Sequence, residues 1–165
     1  MRKFLSITLI LALVLTLFTG CHLTTNIQKI VQPAEKTFSK SGMSITLTEQ
    51  FAEKEHVSYT SVYESKDIAI FTLKEEFSLF GGADYSVKEY AELVIEANKL
   101  TSDVKTQDDL TYFDYDKEIN GKDFQYTAFV YKADDAYWMI QFACAQDDAD
   151  ALKDEVFKYA RSVKV

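Results

Sequence analysis

The chain has 165 residues, 47% hydrophobic and 14% aromatic, with a formal charge of −8 at neutral pH. That length suits one globular domain. The acid excess excludes a nucleic-acid binder, since phosphates need a basic surface, and argues against electrostatic docking on anionic headgroups, which needs basic patches.

Met1-Arg2-Lys3 is a short positive start, and Phe4 to Phe18 is an apolar run interrupted only by Ser6, Thr8 and Thr16. At about 15 residues the run is short of the roughly 20 that span the hydrocarbon. With small residues at its end, this is the signal-peptide pattern. Leu15-Thr16-Leu17-Phe18-Thr19-Gly20-Cys21 resembles the lipobox of bacterial lipoproteins, with Phe18 where leucine is most common. The resemblance implies that residues 1–20 are removed and that Cys21 receives acyl chains, palmitate among them. An uncleaved anchor and a plain secretory signal are the competing readings, but a plain signal does not require a cysteine after Thr19-Gly20. Each buried methylene contributes about 0.8 kcal/mol and one chain is marginal, so two or three chains make attachment stable. Losing Arg2 and Lys3 takes the formal charge from −8 to −10. Attachment is therefore expected from the lipid, on the extracytoplasmic side of the cell membrane.

Residues 21–42 are polar, poor in aromatics and hold the only proline, Pro33. They are expected to form a tether, with a single domain over 43–165. Ser44-Ile45-Thr46-Leu47-Thr48 alternates as a strand, Ile45 and Leu47 on one face. Glu49 to His56 is charged and is expected to be a turn or a short helical piece. Val57 to Glu64 and Ile68 to Phe77 are β-rich runs joined by Ser65-Lys66-Asp67, which predicts a hairpin. In the second run Ala69, Phe71 and Leu73 share one face and Ile68 and Ile70 the other, as in a central strand covered on both sides.

Ser78 to Tyr85 is a predicted loop carrying Leu79, Phe80 and Tyr85 around Gly81-Gly82. Ser86-Val87-Lys88-Glu89 then matches a capping box, and Val87, Tyr90, Ala91, Val94 and Ile95 make the stripe of a helix ending near Asn98-Lys99. After a short strand at Asp103 to Thr106, Leu110 to Ile119 alternates, Phe113, Tyr115 and Ile119 opposing Tyr112, Asp114, Asp116 and Glu118. Asn120-Gly121 is a strong hairpin signal, because a type I′ turn needs two residues that accept positive φ. Lys122 to Lys132 returns, Asp134-Asp135 turns again, and Ala136 to Ala145 follows. A closing helix has Asp147, Asp148 and Asp150 at its start and Lys158 and Arg161 near its end, as the helix dipole favours. Leu152, Val156, Tyr159, Ala160 and Val163 form its stripe.

Antiparallel strands with helices after strand groups indicate an α+β layer fold. The expectation is an antiparallel sheet of six to seven strands between two main helices, an α/β/α sandwich. From Met43-Ser44-Ile45-Thr46-Leu47, through Ile68-Ala69-Ile70-Phe71 and the capped helix at Ser86, to the Asn120-Gly121 meander and the closing helix, the body resembles the PsbP/Mog1-like domains. A cystatin-like or NTF2-like curved sheet is the runner-up. The resemblance lies in order and pattern, carries over no site residue, and spans members from photosystem accessory proteins to bacterial lipoproteins, so it implies a fold and not a function.

Catalytic chemistry finds little support. Asp116 to Asp123 places oxygens at alternate positions and glycine sixth, as a calcium loop does, but Thr127 stands where a bidentate glutamate is needed, so a hairpin with an acidic edge is expected and no metal. Cys144, the one cysteine besides Cys21, shares a strand face with Trp138, Ile140 and Phe142, a core address; pairing it with His56 for nucleophilic catalysis is the weaker reading. Asp114, Asp116 and Glu118 as glycosidase acids would need burial. No phosphate-cradling glycine motif points to a cofactor. The function expected is a membrane-anchored, non-enzymatic accessory or binding module for another envelope component, met through a sheet edge or through the loop of Leu79, Phe80 and Tyr85; the competing reading of that loop is that it folds back onto the sheet. A receptor for a small apolar ligand held between sheet and helix, or a carboxylate-based hydrolase, are the alternatives.

Overall fold

The computed structural model describes residues 33–165, so the leader and Cys21 lie outside the described residues. The strands are β1 (Glu35–Lys40), β2 (Met43–Thr48), β3 (Ala52–Lys54), β4 (Ser61–Glu64), β5 (Ala69–Glu76), β6 (Lys105–Gln107), β7 (Leu110–Ile119), β8 (Lys122–Lys132) and β9 (Ala136–Ala145). Helix α1 is Val87–Ala97 and helix α2 is Ala149–Arg161. Seven strands form one sheet in the order β3-β4-β5-β9-β8-β7-β6, every neighbouring pair antiparallel. This is the expected α+β sandwich.

The two faces of the sheet sort the apolar side chains by alternation. Ile70, Trp138, Ile140, Phe142 and Phe129 point to the layer made by α2 and the β1–β2 hairpin. Phe71, Phe113, Tyr115, Tyr126, Tyr137 and Met139 point to the other, where α1 lies. Strand β9 sits fourth of seven and is buried over nine of its ten residues, because both faces are covered there. The capping box of α1 is complete: Ser86 Oγ accepts from the Glu89 amide at 3.2 Å and Glu89 Oε2 accepts from the Ser86 amide at 2.8 Å. Asn120 and Gly121 both have positive φ, 55° and 75°, closing β7–β8 as the I′ turn requires.

Two expectations need correction. The stretch read as tether, residues 21–42, does not remain so to its end, because Glu35–Lys40 pairs with β2 in a separate two-stranded sheet. The single large apolar residue of β1, Phe38, packs on Tyr63 at 4.9 Å; one apolar residue gives no alternation to read. The domain thus begins before residue 43. Glu49 to His56 opens with the expected turn at Glu49-Gln50 but then extends: Ala52–Lys54 is an exposed edge strand held by pairing with β4 and not by burial. The chain closes where Ser44 and Lys164 exchange backbone hydrogen bonds of 2.8 and 2.9 Å.

Candidate functional site

The expected contact loop begins as a turn of 3-10 helix over Phe77–Phe80, and Gly81 and Gly82 then take positive φ of 66° and 79°. Two successive left-handed residues suit glycine, which has no Cβ to clash. The segment is tied down along its length. The Phe77 amide donates to Asp135 O at 3.0 Å. Lys132 Nζ and the Tyr137 hydroxyl both donate to Tyr85 O, at 2.8 and 2.7 Å. Lys132 also pairs with Asp84 and stands over the Phe77 ring at 5.6 Å.

Phe80 turns inward, meeting Tyr85, Tyr90 and Tyr137 edge-on at 6.1, 5.7 and 5.6 Å. Beneath it Tyr90 and Tyr137 stack at 4.4 Å. The Tyr90 hydroxyl donates to the Glu75 carboxylate; burial first, and that carboxylate next, push this phenol well above its ordinary range. Of the three loop residues only Leu79 is turned to solvent, 55% exposed, while Phe80 and Tyr85 are half-buried. The segment thus presents one leucine from a fixed shoulder.

The other sequence candidates are dispersed. Asp114 is held by Lys105 at 2.9 Å, and that hydrogen bond raises the lysine. Asp116 faces Gln125 and Glu118 faces Asp123 across the hairpin, so the calcium-like spacing is spent on a β-ladder. Among the described residues no three His, Cys, Asp or Glu side chains gather as metal ligands. Cys144 is buried, its thiol pushed up by that burial and then by Asp148. His56 accepts from the Ser58 amide at 3.2 Å and packs on Tyr59 at 5.1 Å. Tyr59 lies against the α1 face, whereas alternation puts Cys144 on the α2 face, so thiol and imidazole are on opposite sides of the sheet.

The gap between α1 and the sheet, lined by Val94, Asn98, Phe113, Tyr115, Met139 and Gln141 among others, holds about 10 Å³, room for about one water. The Tyr115 hydroxyl crosses toward it to donate to Gln141 Oε1 at 2.6 Å. A ligand bound there would have to displace α1. An open depression of about 400 Å³ lies at the β1–β2 turn beside Lys164; sequence reasoning missed it because it depends on β1.

No protein-family model matches the sequence, and no curated protein matches it. By structure the chain is similar to the cyanobacterial PsbP protein (CyanoP) from Synechocystis sp. PCC 6803, with a TM-score of 0.51 at 10% identity, covering 86% of this chain and 98% of that one. The fold is PsbP-like. A crystal structure from Bacteroides thetaiotaomicron VPI-5482 aligns with a TM-score of 0.56 at 9% identity over 81% of this chain, which spans about half, 48%, of that longer chain. LpqN of Mycobacterium tuberculosis, described as involved in cell envelope biogenesis, aligns with a TM-score of 0.48 at 11% identity over 79% of this chain and 90% of that one. At such identities the likeness to the first two is one of fold, and the PsbP-like fold carries no site residue with it.

Proposed function

We propose that this protein is a lipid-anchored, non-enzymatic accessory module of the cell envelope that meets a protein partner through the Leu79 shoulder. The observation that carries the reading is the contrast within one loop. Phe80 and Tyr85 are locked inward by ring contacts and by the bonds to Tyr85 O, while Leu79 is left exposed. An apolar side chain presented by an already ordered segment loses little entropy on contact, which is what makes a small anchor effective. The lipobox-like stretch ending at Cys21 supplies the membrane attachment in this reading.

Site-specific photo-cross-linking in the producing cell tests it. A photoreactive residue at position 79 of the full chain should give one discrete protein adduct. The same residue at Glu49, exposed in a distant turn, should give none. The reading fails if position 79 yields no adduct, or the same smear as position 49.

A further inference from the structure

The main sheet ends differently on its two sides. β3 is three residues long, and its Glu53 is bonded at 2.8 Å to Lys40 of the β1–β2 layer. On the other side β7 is ten residues long but β6 only three, and β6 pairs with Leu110, Thr111 and Tyr112 alone. The turns at the two ends of β7 fix which backbone groups face outward. Asn120-Gly121 closes the pair Ile119↔Lys122, so Ile119, Lys117 and Tyr115 direct their N–H and C=O groups to β8. Asp114, Asp116 and Glu118 therefore direct theirs away from β8. The Asp108-Asp109 turn, with φ of 50° and 64°, sets the same phase, because it turns the groups of Leu110 and Tyr112 toward β6. β6 stops short of the rest. Among the described residues no strand pairs with Asp116 and Glu118 on that side.

This open row lacks the backbone devices that blunt an edge. The β7–β8 register runs from Thr111↔Val130 to Ile119↔Lys122 without a bulge, and the one proline, Pro33, is elsewhere. Charge is what guards it. Asp116 and Glu118 put exposed carboxylates on the α2 side and form no ion pair among the described residues. Glu118 stands opposite Asp123 of β8, in the closer of the two antiparallel pair types, with about 4.5 Å between Cα atoms. Like charges placed so destabilise the pair. Asp148 extends the acidic side, since it acts on Cys144, whose cross-strand partner Gln125 in turn faces Asp116. Against these stand Lys105, already bonded to Asp114 at 2.9 Å, and Lys153 of α2; Lys117 and Lys122 alternate onto the other face.

We propose that the outer row of β7 between Tyr115 and Ile119 receives an extended basic segment of another protein as an added strand. Strand addition takes its affinity from main-chain hydrogen bonds and its selectivity from alternate side chains. The N–H and C=O groups of Asp116 and Glu118 supply the bonds, about 7 Å apart along the strand, and their carboxylates select Lys or Arg at every second position. A cationic strand also relieves the Glu118–Asp123 repulsion, which the fold leaves uncompensated. A second copy of this chain is the wrong occupant, because pairing β7 with itself sets acids against acids, and such repulsion discriminates between partners. The proposal needs neither Leu79 nor the lipid anchor. Leu79 follows Glu76, which pairs with Ala136, whereas Ile119 lies at the opposite end of the sheet, where Phe124 pairs with Ala145.

Hydrogen exchange read by NMR on the full chain, in an uncharged detergent, tests this with three short capped peptides. They are alternating Lys-Val, alternating Glu-Val, and Lys-Val N-methylated at every residue, which keeps the charge and loses the backbone donors. Without peptide the amides of Asp116 and Glu118 should exchange fast. Lys-Val should slow both by about tenfold, and neither of the other peptides should. Asp116→Lys together with Glu118→Lys, both at exposed positions, should transfer the effect to Glu-Val. Equal slowing by the N-methylated peptide means that charge alone attracts it and overturns strand addition. No slowing by Lys-Val overturns the proposal outright. So does protection present before any peptide is added: if it grows with protein concentration the row belongs to a second copy, and if it does not the row belongs to residues 21–32 of the same chain.

Discussion

Phe80 and Leu79 are sequence neighbours of similar hydrophobicity, and the structure assigns them opposite roles. Truncating Phe80 to alanine removes a half-buried ring, worth about 1–1.5 kcal/mol against the 1.5–3 of a fully buried side chain. It also removes three edge-on aromatic contacts, which together add about 1–1.5 kcal/mol at the lower end of the range for such pairs. Phe80→Ala should therefore cost about 2–3 kcal/mol. Leu79→Ser, at a position 55% exposed, should stay within about 0.5 kcal/mol, as surface changes do. In urea, with a slope of about 1.5 kcal/mol per molar, Phe80→Ala lowers the midpoint by about 1–2 M, while Leu79→Ser barely moves it. Equal shifts for the two variants, or a larger one for Leu79→Ser, would refute the assignment of one residue inward and one outward.

Three further outcomes follow from the packing. Ser86→Ala removes the side-chain cap of α1 and should cost about 1 kcal/mol, read from the urea midpoint; an unchanged midpoint would mean that α1 does not depend on its cap. Among the described residues the buried Tyr63 hydroxyl has no hydrogen-bond partner, so Tyr63→Phe should leave thermal stability unchanged or raise it by up to about 1 kcal/mol, and a clear loss would show that the hydroxyl is bonded. Burial pushes up seven of the ten tyrosines, Tyr126 and Tyr159 to about 12. The fold favours the neutral phenol, so this contribution is fully present below the unfolded value of about 10 and is lost as pH rises through the folded values. Tyrosinate absorbance should then rise together with unfolding above pH 10, whereas independent titration of all ten near 10 would contradict that.

The sequence was most legible where side-chain period and turn chemistry agree. β7 and β8 alternate cleanly around Asn120-Gly121, and both faces of that hairpin are assigned correctly from the residues. Ser86 and Glu89 mark the start of α1 because a capping box is a local device, complete within four residues. β1 and β3 were illegible for a physical reason. Each is held by pairing with a neighbouring strand, and neither buries enough of its own side chains to leave a period. The loop was half legible: its aromatic content was plain, but which residues turn inward depends on Tyr85 O accepting from Lys132 and Tyr137, 47 and 52 residues away.

The proposed function requires that this domain works from a lipid anchor on Cys21. Intact-mass analysis of the mature protein extracted from membranes reads that anchor. The expected product is a chain that begins at Cys21 and carries two or three acyl chains, with the Cys21→Ser chain keeping its leader and incorporating no acyl label. A mature chain with an unmodified Cys21, or acyl label that persists in Cys21→Ser, would contradict it.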